Sequence, residues 1–324
     1  MAIESLRALC TAMDTAAVET WGRIEFGRLP GRRFDETAVT DNLLFTLQNQ
    51  VPGLLTYQSN QVQERNTGAD WEWWIGDDQA GWICLRIQAK RVYEDNTYRM
   101  LKHRGAGEDA FQYDTLIKGC NPDQARYAFH VFYNGWPEGT FEEGTYWAPP
   151  AQWNACPGLS SYKDCKHAEP RHYGCAIIST PDVKKLSDVD VDSAAPAATR
   201  FRVQRYLSAA VPWSYAFGFP PWDSKREEER WHPRLDRGDW VDRIHGTLDV
   251  LTRRGGARGA RDASGHLGEI PIDRDQRTFE LPPYVEAMRR SAPGRFEPTS
   301  EDEAPAAPQT VIVERKPKRA RKRK

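Results

Sequence analysis

The hydrophobic pattern of the chain changes from helical to strand periodicity and back within its first 135 residues. Apolar residues recur every three or four positions in 3–22 and 35–49, which predicts two amphipathic helices. On the second helix Val39, Leu43, Leu44 and Leu47 form the apolar face, and Asp35 or Thr37 is the candidate N-cap. Strand patterns follow at 51–62, 69–75, 81–92, 127–133 and 175–178. One further helical pattern, at 108–119, lies between the third and fourth of these strands. The order helix, three strands, helix, strand predicts an α/β fold whose mixed central sheet is flanked by helices.

The pattern weakens in the C-terminal half. Residues 182–208 are expected to hold one or two helices, and residues 226–254 are expected to be partly helical. From residue 291 the composition is Pro, Ala and acidic residues followed by basic ones, which predicts disorder. We therefore predict an α/β domain over 1–180, an irregular, partly helical extension over 181–290, and a disordered tail over 291–324 that ends in a basic cluster.

Composition excludes several classes of protein. The chain has 324 residues with 39% hydrophobic residues, which suits a globular core. It has no run of 18 apolar residues and no signal-peptide pattern at its start, so we expect a cytoplasmic protein without a membrane span. The six cysteines are thinly spread and do not predict a disulfide framework. The motifs of serine hydrolases, P-loop nucleotidases and zincin proteases (G-x-S-x-G, G-x-x-x-x-G-K-[ST] and H-E-x-x-H) do not occur.

A net charge of −1 conceals a strongly polarised chain. Residues 315–324 hold eight Lys and Arg and no acid; removing them from the 45 basic residues leaves 37 against 46 acidic ones, or −9 for the rest. A dense basic cluster favours salt-sensitive, sequence-independent binding to nucleic acid. The candidate nucleic-acid-binding residues are Lys316, Lys318, Arg319, Arg321, Lys322 and Arg323.

Candidate catalytic residues lie on two neighbouring strands. Asp70 and Glu72 are two positions apart, as are Gln88 and Lys90, and side chains two apart on a strand share one face. Glu36, on the preceding helix, is a further acid that would reach the edge of the sheet. Mg²⁺ in proteins is bound by one or two carboxylates together with water and substrate oxygens. We expect Asp70, Glu72 and Glu36 to be metal ligands, Gln88 to position the metal or water, and Lys90 to assist the nucleophile.

These residues resemble the PD-(D/E)xK restriction-endonuclease-like superfamily. Glu36, Asp70 and Gln88-Ala89-Lys90 resemble in particular the branch with Gln at the second acidic position, as in Mrr-like nucleases. The longer strings E-T-x-x-T-D, G-A-D-W-E-W-W and L-R-I-Q-A-K-R also resemble an uncharacterised family of bacterial proteins. The resemblance covers about residues 30–135. It implies a restriction-endonuclease-like core and metal-dependent hydrolysis of phosphodiester bonds, with Mg²⁺ or Mn²⁺ as cofactor and nucleic acid as partner. DNA is the favoured nucleic acid, and RNA stays an open alternative. It also implies a bacterial defence or mobile-element setting.

Several alternatives stay open. The fold would also suit a catalytically inactive module that binds nucleic acid or a protein, and alternating Asp, Glu and Trp would also suit the solvated face of a strand. Gln112, on the helix after the lysine strand, is an auxiliary candidate, although a solvated helix face explains it as well. A homodimer is compatible with the sequence. A zinc site is disfavoured but kept as a minority hypothesis, because the thiols and imidazoles nearest each other lack a common finger spacing; these are Cys156, Cys165, His167, His172 and Cys175.

Overall fold

A computed structural model describes the chain over residues 6–58, 67–104, 110–137, 170–192, 200–218, 276–291 and 305–315, except Arg33 and Ser208, together with a few isolated positions.

Amphipathic helices begin the chain, as the sequence predicts. The helices are α1 (Leu6–Gly27), α2 (Glu36–Gln50), α3 (Gln112–Lys118), α4 (Thr180–Asp192), α5 (Val203–Leu207), α6 (Tyr215–Gly218) and α7 (Pro283–Arg290). In α2 the predicted apolar face Val39, Leu43, Leu44 and Leu47 is buried, and Asp35 is the N-cap, although its side chain makes no capping hydrogen bond. The expectation of one or two helices in 182–208 is confirmed by α4 and α5.

One mixed sheet organises the described residues. Its strands are β1 (Leu55–Gln58), β2 (Trp71–Asp77), β3 (Gly81–Arg91), β4 (Arg126–Tyr133), β5 (Cys175–Ser179), β6 (Val211–Pro212) and β7 (Gln309–Glu314). They lie in the order β1-β7-β2-β3-β4-β5-β6. The pairs β2–β7 and β3–β4 are parallel, and the others are antiparallel. Because α3 joins the parallel strands β3 and β4, these three elements form a β-α-β crossover. The prediction of an α/β fold with a mixed sheet is confirmed.

Both faces of the sheet are covered by helices. Trp73 packs in the same hydrophobic cluster as residues of α1 and α2, whereas the adjacent Trp74 packs with Tyr284 and Met288 of α7. Adjacent strand residues point to opposite faces, so α1 and α2 lie on one face and α7 lies on the other. All eleven residues of β3 are buried. The alternative that the polar positions form a solvated strand face is therefore wrong, since the central strands are buried on both sides.

The C-terminal segment corrects a prediction. We expected disorder throughout 291–324, but β7 lies inside the sheet between β1 and β2, and Val311, Ile312 and Val313 are fully buried. The strand was missed because it is short and is flanked by Pro, Ala and charged residues that dominate the composition. Residues 291–324 thus include a strand of the core, and β7 pairs with two strands from the first quarter of the chain.

Replacing Ile312 by Ala is expected to lower the free energy of unfolding by about 2–5 kcal/mol, because the side chain leaves a cavity in the α7 cluster. Urea unfolding of the variant measures the loss. Val189→Ala is the matched control, since Val189 is 52% exposed. If residues 309–314 were disordered, both substitutions would instead leave the free energy of unfolding nearly unchanged.

Other predictions fall partly outside the described residues. In 226–254 only Val241 and Ile244 are described, and both are helical and buried. Within the described residues no helix is long and apolar enough to cross a membrane. Cys84, Cys120 and Cys175 form no disulfide among the described residues.

Candidate active site

Asp70 stands at the entry to β2, held by the backbone of β3. Its N–H donates to the carbonyl of Ile87 over 2.8 Å, and its carboxylate accepts the N–H of Ala89. Gly68, two residues earlier, has a φ of +67°, and a Cβ there would lie 2.9 Å from the carbonyl oxygen of Gln112. Only glycine allows this close approach of the loop to α3 without strain. The Gly-Ala-Asp sequence therefore fixes Asp70 between β3 and α3.

Gln88 braces the same loop from the neighbouring strand. It is buried, and its Nε2 donates to the carbonyl of Gly68 over 3.0 Å. The side-chain amide of Gln88 thus stabilises the loop that carries Asp70. A carboxylate at this position could not donate that hydrogen bond, which gives a physical reason for Gln here.

Lys90 and Glu36 form an ion pair where β3 meets the start of α2. The Lys90 Nζ lies 3.5 Å from the Glu36 Oε1, and the Glu36 Oε2 accepts the N–H of Arg91 over 2.9 Å. The Lys90 side chain is 6% exposed and the Glu36 side chain 27%, so the acid is partly buried and the lysine is more deeply buried than the acid. Thr40 anchors α2 to β4 through a 2.8 Å hydrogen bond with the Tyr133 hydroxyl.

Glu36 and Asp70 are electrostatically coupled. Burial raises the pKa of Glu36, and the negative charge of Asp70 raises it further, against the opposing effects of the Lys90 charge and the Arg91 N–H. Because the charge of Asp70 disfavours the charged form of Glu36, a cation bound between the two carboxylates would be stabilising. The structure therefore brings together three of the predicted residues, Glu36, Asp70 and Lys90, with Gln88 beside them. We call these four the acid–lysine cluster.

Glu72 does not belong to this cluster, and its expected role as a metal ligand is revised. Its carboxylate is fully buried: Oε1 accepts hydrogen bonds from Trp74 Nε1 (3.0 Å) and the Tyr284 hydroxyl, and Oε2 pairs with Arg86 Nε at 3.4 Å. Arg86 also donates to the carbonyl of Gly119. The alternation of side chains along β2 predicted correctly on which face of the sheet Glu72 lies. It did not predict that α7 covers this face at Glu72. Its contacts mark Glu72 as the anion of a buried structural ion pair.

His130 is a residue near the cluster that sequence reasoning missed. It pairs with Gln88 in the parallel register of β3 and β4, is fully buried, and bonds through Nδ1 with the Thr180 hydroxyl at 3.0 Å. Among the described residues its Nε2 has no hydrogen-bond partner. Burial and the nearby Lys90 charge hold its pKa well below the usual value, so the ring is neutral. The only signal in the sequence was a polar residue inside the apolar run of β4.

The remaining candidates are separate from the cluster. Gln112 begins α3, and its backbone contacts Gly68, which supports a structural role for that position. Of the zinc hypothesis, Cys156, Cys165 and His167 lie outside the described residues. Cys175 is buried in β5, and this burial raises the pKa of its thiol to about 12. The Nδ1 atom of His172 lies 3.9 Å from the Oδ1 atom of Asp14. The basic residues of 316–324 also lie outside the described residues.

The cluster offers two carboxylates to a metal. In the described part of the chain, no group of three or more His, Cys, Asp and Glu side chains is placed to hold an ion. A pair of carboxylates completed by water and substrate oxygens is the usual protein contribution to a Mg²⁺ site. Glu36 and Asp70 therefore suit Mg²⁺ or Mn²⁺ better than a fully protein-ligated Zn²⁺.

Comparison with known proteins gives a family without an assigned activity. No curated protein matches the chain. A family model described as a family of unknown function, DUF6615, matches residues 9–320, which is nearly the whole chain. The match includes the acid–lysine cluster and β7. The chain therefore belongs to DUF6615.

Proposed function

We propose that this protein is a metal-dependent nuclease that hydrolyses phosphodiester bonds in DNA at the acid–lysine cluster. The observation that carries the proposal is the convergence of Glu36, Asp70 and Lys90 at the end of β3. Lys90 Nζ lies 3.5 Å from Glu36 Oε1, and the carboxylates of Asp70 and Glu36 accept the N–H groups of Ala89 and Arg91, the residues on either side of Lys90. Two carboxylates beside a lysine provide the anionic ligands and the positive charge that this reaction requires.

The arrangement of elements supports a restriction-endonuclease-like core. Helix α2, strands β1 to β3, helix α3 and strand β4 follow the order that the resemblance implies, with β3 and β4 parallel. Strand β7, which follows this core in the sequence, lies between β1 and β2 in the sheet. Glu36 opens the first helix of this core, Asp70 precedes the second strand, and Lys90 is the last residue but one of the third.

Each residue of the cluster has a distinct role in the proposal. Glu36 and Asp70 would hold Mg²⁺ or Mn²⁺, which supplies a bound water of lowered pKa and positive charge beside the phosphate. The N–H groups of Ala89 and Arg91 orient the two carboxylates. Lys90, beside Glu36, stabilises negative charge as it develops on the phosphate oxygens. Gln88 keeps the loop of Asp70 in place through Gly68.

An inactive binding module is the second candidate. Gln88 occupies the position of a second acid and uses its amide to brace the Gly68 loop, so the cluster has one carboxylate fewer than the acidic form of the motif. Such a module would keep the fold and bind nucleic acid without cutting it. The two candidates differ in one observable property, metal-dependent cleavage.

Cleavage of supercoiled plasmid by the purified protein tests the proposal. We expect nicking and linearisation with Mg²⁺ or Mn²⁺, and none with EDTA. Lys90→Met keeps the aliphatic stem and removes the charge, and should slow cleavage on the order of 10²-fold. Lys118→Met, at an exposed position, is the matched control and should cut as the wild type does. Intact plasmid with every metal would leave the binding module as the better account.

A further inference from the structure

A short basic segment, Arg99 to Arg104, lies on the surface after the lysine strand. Residues Arg99–Lys102 form one 3₁₀ turn, and the buried Leu101 fixes it to the core. Around Leu101 the cationic side chains of Arg99, Lys102 and Arg104 are exposed, and so is the imidazole of His103. The segment contains no acid.

The first end of the basic segment is connected to the acid–lysine cluster through one tyrosine. The Arg99 guanidinium carbon lies 3.9 Å from the centre of the Tyr93 ring, and that of Arg91 lies 4.1 Å from the same centre. The N–H of Arg91 binds Glu36. A guanidinium stacked on an aromatic ring has restricted motion, so Arg99 is held near the cluster at a small further cost in side-chain entropy.

The second end returns to the loop of Asp70. Arg104 pairs with Phe111 in an isolated antiparallel bridge, and its guanidinium carbon lies 4.8 Å from the centre of the Phe111 ring. The N–H of Gln112 donates to the carbonyl of His103 over 3.3 Å, and Gln112 contacts Gly68. The basic segment is therefore anchored at one end beside Glu36 and at the other beside Asp70.

The nearest preceding acids do not neutralise this segment. Asp95 accepts hydrogen bonds from the N–H and hydroxyl of Thr97, and Glu94 and Asp95 both lie close enough to Arg28 to raise its pKa against the effect of burial. Among the described residues, no ion pair involves a cation of the basic segment. A local cationic surface is notable in a chain that carries −9 outside its last ten residues.

We propose that the basic segment binds the sugar–phosphate backbone of DNA and holds it against the acid–lysine cluster. This inference rests on the proposed function, which identifies DNA as the molecule that the segment binds. Arginine and lysine contact phosphates without reading sequence, and each contact displaces a condensed counterion. Arg99, stacked on Tyr93, and Arg104, stacked on Phe111, fix the backbone at two points, and Lys102 contributes a third cation between them in the chain.

Binding without cleavage tests this surface separately from catalysis. Fluorescence anisotropy of a labelled DNA duplex, in EDTA and over a series of salt concentrations, gives the dissociation constant and its salt slope for the full chain. Lys102→Gln/Arg104→Gln removes two cations of the segment. Lys118→Gln/Arg290→Gln removes two exposed cations elsewhere and is the matched control.

The segment variant is expected to bind on the order of tenfold more weakly at about 0.15 M salt, with a salt slope smaller by about two. The control should keep the slope of the wild type. Equal affinities and slopes for wild type and segment variant would overturn the proposal, because the basic cluster of 316–324 would then account for binding. If the segment variant binds DNA more weakly but the wild type cuts no DNA in Mn²⁺, the nuclease proposal is refuted and the DNA-binding surface is retained. If the wild type cuts DNA with metal but the segment variant binds DNA as the wild type does, the nuclease proposal is retained and the DNA-binding surface is refuted.

Discussion

Asp70→Asn is expected to reduce metal-dependent DNA cleavage by at least about 10³-fold, equivalent to about 4 kcal/mol of transition-state stabilisation. The substitution removes one of the two carboxylates available to the metal. The asparagine oxygen still accepts the N–H of Ala89, so the loop and its contact with α3 should persist. Single-turnover cleavage of an end-labelled duplex in Mg²⁺ measures the effect.

The control for this prediction is Asp192→Asn, which neutralises an exposed carboxylate on α4. It should cut at the wild-type rate. Circular dichroism and urea unfolding should show that Asp70→Asn remains folded. If the Asp70 variant is folded and retains cleavage within about tenfold of wild type, the assignment of Asp70 is wrong.

Glu72→Ala is expected to lower the free energy of unfolding by about 3–5 kcal/mol. Its side chain is the buried anion of the pair with Arg86, and it also accepts hydrogen bonds from Trp74 and Tyr284. Removing it leaves a buried guanidinium without its carboxylate. Urea unfolding followed by tryptophan fluorescence measures the loss.

The double variant Glu72→Met/Arg86→Met separates a structural role from a metal-binding one. Replacing both charges with apolar side chains of similar volume should restore most of the stability, because no unpaired charge remains. The double variant should also keep metal-dependent cleavage. A stable double variant that does not cut DNA would indicate that Glu72 is a metal ligand after all. A loss of less than about 1 kcal/mol in the free energy of unfolding of Glu72→Ala would contradict the buried ion pair.

The hydrophobic pattern predicted the elements that carry the cluster because their signals are local. The periodicity of α2 and the strand patterns of β2, β3 and β4 lie within single segments, and the resulting order placed Glu36, Asp70 and Lys90 in the same region. Element boundaries shifted by a few residues. The two-residue spacing also gave the correct face for Gln88 and Lys90, since alternation is a property of the strand itself.

The features that could not be predicted depend on contacts distant in sequence. Glu72 looked equivalent to Asp70 because nothing in its own strand shows that Tyr284, 212 positions later, donates a hydrogen bond to it. The place of β7 depends on pairing with β1 and β2, more than 230 residues away. His130 came into view only through its register opposite Gln88 and its unpartnered Nε2 among the described residues.

The central claim is that Glu36 and Asp70 hold a divalent metal beside Lys90. Electron paramagnetic resonance during a titration with Mn²⁺ tests it directly, since bound Mn²⁺ loses the signal of the free ion. The account predicts saturable binding to the wild type and to Asp192→Asn, and strongly weakened binding to Glu36→Gln and Asp70→Asn. Binding that is equal in all four folded proteins would contradict it.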